Sequence, residues 1–180
     1  MCFKPKSLSK LHVPSMYLNG EKLTCVDKTK YLGVFIDNAA QDDEDILRHV
    51  RAIYARGNVL INRFKICSDE VKSCLFNSYL SSVYGSQIWT CYKKNVFRKA
   101  TVAYNNICRV LFNIKRGFSM SQFYVNNSID SFTVLYRKSI GNFRQRLLAC
   151  NNLLVHTIIT SVFFFFNSSH ASVWSKHLFT

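Results

Sequence analysis

Between residues 42 and 148 apolar side chains return every three or four positions, the period of an α-helix, and this pattern constrains the fold of the 180-residue chain more than any other feature. Ile46, Val50, Ile53, Gly57, Leu60 and Phe64 fall on one face of a first helix. That helix opens with Asp42-Asp43-Glu44-Asp45, four carboxylates placed where they complement the positive end of the helix dipole. Gly57 lies on the apolar face, which predicts that another element approaches closely there. Ser68, followed by Asp69 and Glu70, marks the start of a second helix running towards Trp89, with Val71, Cys74, Leu75, Tyr79, Leu80 and Val83 inward. A third helix is expected over residues 94–113. Phe97, Ala100, Ala103, Tyr104, Ile107, Val110 and Leu111 form its apolar stripe, and Lys94, Arg98, Asn105 and Arg109 form a polar one. Residues 119–127 suit a short helix. Ser128 or Asp130 then caps a fourth long helix, with Phe132, Leu135, Tyr136, Ile140 and Phe143 inward and Arg137, Lys138, Arg144 and Arg146 mainly outward.

The chain ahead of the helices reads differently. Ser15-Met16-Tyr17-Leu18, the turn pair Asn19-Gly20, and Lys22-Leu23-Thr24-Cys25-Val26 make a hairpin, and Tyr31-Leu32-Gly33-Val34-Phe35-Ile36-Asp37 reads as a third strand. The expected fold is therefore mainly α. A small N-terminal β-hairpin or three-strand edge over residues 1–38 precedes a basic helical bundle over 39–150. An apolar tail, 151–180, follows. Its uncharged stretch 153–166 ends in four Phe residues and, at 14 residues, is short for a membrane span. Extended back to Leu147 it reaches 20 residues but takes in Asn151, Asn152 and His156.

Charge is segregated along the chain. The net charge is +14, yet residues 1–70 hold 11 Lys/Arg against 9 Asp/Glu, while residues 71–180 hold 13 against one, Asp130. Such a positive unit attracts polyanions, nucleic acid first. A neutral solvated face would mix signs. Basic residues at helical spacing can follow phosphates, and the aromatics fall mostly on inward stripes.

Catalytic chemistry finds little footing. Two-metal catalysis needs carboxylates converging on one point. Successive helix residues diverge by about 100°, so Asp42 to Asp45 are expected to cap, and Asp37 to end a strand or a turn. None of His12, His49, His156, His170 and His177 has a nucleophile context, and His49 reads as a surface residue. The seven cysteines are odd in number and scattered, without zinc-ligand spacing. Cys67 and Cys74, two helical turns apart, read as reduced core thiols. No phosphate loop, catalytic residue, metal site or cofactor site is expected. Met1-Cys2-Phe3-Lys4-Pro5-Lys6 carries charge and Pro where an export signal would be apolar, so an intracellular location, nucleus or cytoplasm, is expected.

Several stretches, taken in order, resemble the region after the catalytic palm in reverse transcriptases of non-LTR retrotransposons. They are Lys30-Tyr31-Leu32-Gly33-Val34-Phe35-Ile36, Tyr54-Ala55-Arg56-Gly57-Asn58, Phe76-Asn77-Ser78-Tyr79 with Tyr84-Gly85 and Trp89, and Ala103-Tyr104-Asn105 with Arg109-Val110-Leu111-Phe112. The resemblance covers about residues 1–150. It implies that Tyr31, Leu32 and Gly33 lie near a primer terminus, in the primer-grip region, and that the helices form a thumb and connection region. The family's aromatic-X-Asp-Asp box belongs upstream of the Tyr-Leu-Gly strand. Asp42-Asp43 follows that strand, so no catalytic residue carries over, and the resemblance implies a truncated RNA-directed DNA polymerase fragment without its active site.

The function expected from the sequence is sequence-independent binding of an RNA–DNA or other duplex backbone, with Lys94, Arg98, Arg109, Lys115, Arg116, Arg48 and Arg51 as the contacting residues. The alternatives are a basic helical interaction protein, membrane-associated through 147–166, or a non-functional translated pseudogene whose oligo-Phe tail is unrelated to the family. Oligomeric state is not legible in the sequence.

Overall fold

Two positive-φ pairs shape the N-terminal region. Asn19 and Gly20 have φ of 49° and 83°, and Leu32 and Gly33 have 46° and 83°. Positive φ at both central residues is the type I′ geometry that matches the twist of a two-residue hairpin. The first pair joins β1 (Tyr17–Leu18) to β2 (Glu21–Lys22), and the second joins β3 (Lys28–Tyr31) to β4 (Val34–Asp37). Both pairings are antiparallel and form separate two-stranded sheets. The continuous third strand expected over residues 31–37 is thus folded back on itself at Leu32-Gly33, and among the described residues no three-stranded edge forms. The computed structural model describes residues 14–161 together with Met1, Phe3 and Ser172.

The remainder is helical, as expected for a mainly α fold. Its helices are α1 (Asp43–Phe64), α2 (Asp69–Leu80), α3 (Lys94–Leu111), α4 (Met120–Asn126), α5 (Phe132–Leu148) and α6 (Leu153–Thr160), with a single 3₁₀ turn at Ser86–Ile88 between α2 and α3. The second helix ends at Leu80 and does not run on to Trp89. Gly85, at φ +85°, turns the chain there, and its missing Cβ leaves room for Val34 Cγ2 at 3.0 Å. Three helices take side-chain caps: Ser119 Oγ accepts from Gln122 N, Ser131 Oγ from Val134 N, and Asn152 Oδ1 from Leu154 N and Val155 N. Ser131, and not Ser128 or Asp130, therefore caps α5.

The core forms where α1, α2, α3 and α5 face one another. Ile46, Ile53, Leu60, Phe76, Leu80, Trp89, Tyr104, Phe132, Tyr136 and Ile140 are buried there. The rings interlock at their edges, with Phe76 5.0 Å from Tyr104 and Trp89 5.9 Å from Tyr136. Phe76 was not among the inward residues of α2 read from the sequence; Val71 and Tyr79, which were, are 46% and 45% exposed. The thiols also differ from expectation, since Cys74 is exposed and Cys67 half-buried. The core thiol is Cys108, which burial pushes up to about 12.

Helices α1 and α3 run in the same direction. Asp43 bonds Lys93 N at their starts, and one helical stretch later Gly57 meets Ile107. A Cβ on Gly57 would come within 2.5–2.6 Å of three Ile107 side-chain carbons. The sequence expectation of a close approach at Gly57 is met by this contact.

Segment 147–166 is not one helix in its described part. The first helix there stops at Leu148 and Asn152 starts the next. Among the described residues no helix is long and apolar enough to cross a membrane. The four Phe residues at 163–166 lie outside the described residues.

Replacing Gly57 with Leu should destabilise the bundle by about 1–3 kcal/mol through overpacking against Ile107. A urea midpoint equal to that of the parent chain would show that α1 and α3 can part there at no cost.

Candidate nucleic-acid interface

The surface that could meet a polyanion is positioned by a buried carboxylate. Asp45 is 1% exposed. Its Oδ1 accepts from Phe35 N at 3.1 Å and Arg48 Nε at 2.7 Å, and its Oδ2 from Trp89 Nε1 at 2.9 Å and Arg48 Nη2 at 3.2 Å. One side chain therefore joins β4, α1 and the segment leading into α3. Burial pushes the Asp45 carboxyl up, but the bonds from Arg48, Trp89 and Phe35 outweigh it and hold the group below the usual carboxylate range.

The other three acids of the run also look outward from α1. Asp42 Oδ2 accepts from Thr90 N and Cys91 N, both at 2.7 Å. Asp43 Oδ1 accepts from Lys93 N at 2.8 Å. Glu44 pairs with Lys28 at 3.3 Å and Arg51 at 3.6 Å. None of them makes a capping bond to its own helix, because Asp42, the N-cap residue, has helical φ and no side-chain cap bond. The cluster is thus more than a complement to one dipole: it ties residues 90–93, and so the start of α3, to the start of α1. Asp37 behaves as expected, ending β4 and accepting from Ala39 N and Gln41 N at 3.0 and 2.7 Å.

His49 corrects the sequence reading. It is 2% exposed, not a surface residue, and its ring meets Trp89 edge-on at 5.1 Å. Its Nε2 lies 2.6 Å from the Tyr84 carbonyl oxygen, which can only accept, so the proton sits on Nε2. Nδ1 is buried without a hydrogen-bond partner among the described residues. Burial lowers the His49 pKa, with neighbouring Arg48 and Arg56 acting in the same direction against the Tyr84 carbonyl and Asp45.

The basic residues singled out in the sequence divide into two groups. Arg48 and Arg109 are structural. Arg48 is held by Asp45 and reaches Tyr84 O at 3.4 Å. Arg109 donates to Lys115 O at 2.8 Å and Phe118 O at 3.0 Å, fixing the turn between α3 and α4. Lys94, Arg98, Lys115 and Arg116 are exposed. Arg51 is exposed too, at the margin of the Glu44 pair. The expected polar stripe on α3 is accordingly cut in half. Lys94 and Arg98 meet solvent, while Asn105 accepts from Tyr124 OH at 2.7 Å and Arg109 holds its loop. Of the primer-grip-like residues, Tyr31 and Leu32 are 63% and 73% exposed at the β3–β4 turn, and Leu32 O accepts from Tyr84 OH at 2.8 Å.

Periodicity and the scarcity of acids spoke for Lys94, Arg98 and Arg109 alike in the sequence, and neither signalled that Arg109 bonds the following turn. A loop that folds back on a helix is invisible to helical spacing. Among the described residues, no group of three or more His, Cys, Asp and Glu side chains could hold a metal ion. Comparison with protein-family models, with curated proteins and with solved structures finds no match to this chain.

Two predictions follow from the carboxylate hub. Replacing Asp45 with Ala leaves the Arg48 charge, the Trp89 indole N–H and the Phe35 amide without their acceptor, and should cost about 3–5 kcal/mol in urea unfolding. A loss under about 1 kcal/mol would mean that water reaches these donors. The second prediction concerns His49. Its folded pKa lies below the unfolded value, so its contribution to stability is complete above about 6.5 and is lost as pH falls below it. The urea midpoint of the parent should fall between about pH 7 and 5. His49→Gln, which keeps a donor for Tyr84 O, should flatten that part of the profile; an identical slope in both would remove His49 as its source.

Proposed function

We propose that this chain is the thumb-like, nucleic-acid-gripping part of a reverse-transcriptase-like protein, and that it binds the backbone of an RNA–DNA or similar duplex without sequence preference. The observation that supports the reading is the distribution of charge around α3. All but one of the ten Asp and Glu residues precede residue 71, and the exception, Asp130, pairs with Lys138. Lys94, Arg98, Lys115 and Arg116 are exposed and form no ion pair among the described residues. Cations left without carboxylate neighbours neutralise phosphates and release counterions.

The reading assigns binding and not polymerisation. Asp42, Asp43 and Asp45 are engaged by backbone N–H groups, the indole of Trp89 and the guanidinium of Arg48, so these carboxylates serve the fold. The reading also places the protein inside the cell, in nucleus or cytoplasm, where thiols such as Cys25, Cys74 and Cys91 stay reduced.

Affinity for a labelled RNA–DNA hybrid should fall linearly with salt on a logarithmic scale. The double variant Lys94→Glu, Arg98→Glu should weaken binding to every duplex sequence alike and lower that slope by about 2. Unchanged affinity in the double variant, with circular dichroism showing an intact bundle, would take α3 out of the interface. Arg109→Glu should instead loosen the turn at residues 112–118.

A further inference from the structure

A second surface carries chemistry that the duplex reading does not use. A groove of about 550 Å3 runs between the α2–α3 connection and α5. Ser81, Ser82, Tyr84 and Gln87 form one wall, and Lys138, Asn142 and Arg146 lie on the other, along one row of α5. The groove continues past Arg146 to Ala149. The two walls are laced together at the base, where Ser139 Oγ meets Ser86 Oγ at 3.1 Å and donates to Gln87 Oε1 at 3.3 Å.

Tyr84 is the distinctive member. Its hydroxyl donates to Leu32 O at 2.8 Å, and its carbonyl accepts from His49 Nε2 at 2.6 Å and Arg48 Nη2 at 3.4 Å. Gly33 packs beside the ring, where a Cβ would lie 3.3 Å from Cε1. The ring is held at its hydroxyl and on one side, and the backbone that carries it is fixed by His49 and Arg48, yet the residue is 59% exposed and lines the groove. An aromatic ring fixed before its ligand arrives loses little conformational freedom on binding.

Charge in the groove is unequal along its length. Lys138 and Asp130 neutralise each other at one end. Arg146, eight residues and about 12 Å further along α5, is exposed. Its Nε approaches Asn142 O at 3.5 Å and its terminal nitrogens remain for an anion. The same groove is lined by Ser81 and Ser82, which carry hydroxyls, and by Gln87 and Asn142, which carry amides. Gln87 Oε1 accepts from Ser139, which leaves its NH2 as a donor. A rigid ring, amides able to meet base edges, hydroxyls and a single end cation together match a nucleotide unit better than an acidic peptide, which has no use for the ring.

We propose that this groove is a subsite for single-stranded nucleic acid, in which the Tyr84 ring stacks on a base and Arg146 takes a backbone phosphate. The subsite is separate from Lys94 and Arg98 and stands whether or not those residues grip a duplex.

The test is fluorescence anisotropy with a labelled 12-nucleotide oligouridylate and, separately, a blunt RNA–DNA hybrid, on the full chain. Arg146→Glu, a surface change, should weaken oligouridylate binding roughly ten-fold or more while leaving hybrid affinity within about two-fold. Tyr84→Phe, which keeps the ring but not its bond to Leu32 O, should weaken binding by no more than about three-fold, and Tyr84→Leu should lose it by roughly ten-fold or more. Polyglutamate of matched charge should compete poorly. Equal loss for both nucleic acids in Arg146→Glu, no loss for either, or displacement by polyglutamate as effective as by oligouridylate would each overturn the subsite. Loss of hybrid binding by Lys94→Glu, Arg98→Glu with oligouridylate binding retained would separate the two sites. Failure of the parent to bind oligouridylate while binding hybrid would refute the groove and leave the duplex reading standing.

Discussion

The bond set around Asp45 organises this structure. A carboxylate taken out of water is tolerated only when fixed donors replace its hydration, and here four come from three places: a strand amide, an indole and two guanidinium nitrogens. Two of the donors, Phe35 N and Trp89 Nε1, lie outside α1, so the carboxylate ties the hairpin and the segment before α3 to that helix. The β3–β4 hairpin is too short to be stable alone and is anchored through Phe35 and through Leu32. Trp89 sits at the centre of the aromatic core, and its indole N–H needs an acceptor in a place that water does not reach.

The rest of the acidic run serves the same joint. Asp42 and Asp43 accept the amides of residues 90, 91 and 93, so the start of α3 is held against the start of α1. Two parallel helices bring their positive dipole ends together, and carboxylates lying between them relieve that repulsion. Three of the chain's ten acids are thereby taken up inside one junction. Beyond residue 70 the helices carry a single acid, Asp130, so the exposed cations of α3 and of the turn after it have few carboxylates of their own segment to pair with.

Much of this fold was legible in advance, and the reasons are local. Helical period located α1, α3, α4 and α5, because those helices bury a face and their spacing records it. Gly57 could be read as a contact point since a glycine on an apolar face has few other uses. The strand over residues 31–37 misled because alternation describes both a strand and the two arms of a tight hairpin; Leu32 at φ 46° is a poor turn former, and only the Gly beside it hinted at reversal. His49 was misjudged because its flanking residues, Arg48 and Val50, gave no sign that a ring would be needed against Trp89. The bonds that Arg48 and Arg109 make within the fold were not legible for a shared reason: charge is visible in a sequence, but the carbonyls and carboxylates that meet it are not.

The order of these groups along the chain shapes how the molecule must assemble. Asp42 and Asp43 accept from amides 48–50 residues further along the chain, and Asp45, beside its nearer bonds to Phe35 and Arg48, accepts from Trp89 44 residues on. Until α2 has doubled back and Gly85 has turned the chain, the amides of residues 90–93 and the Trp89 indole cannot reach those carboxylates. Contacts of such sequence separation form only after loop closure has been overcome, so the joint between α1 and α3 belongs to the late part of folding, and a chain halted before Trp89 would carry its acidic cluster and its hairpins without the element that makes them cohere.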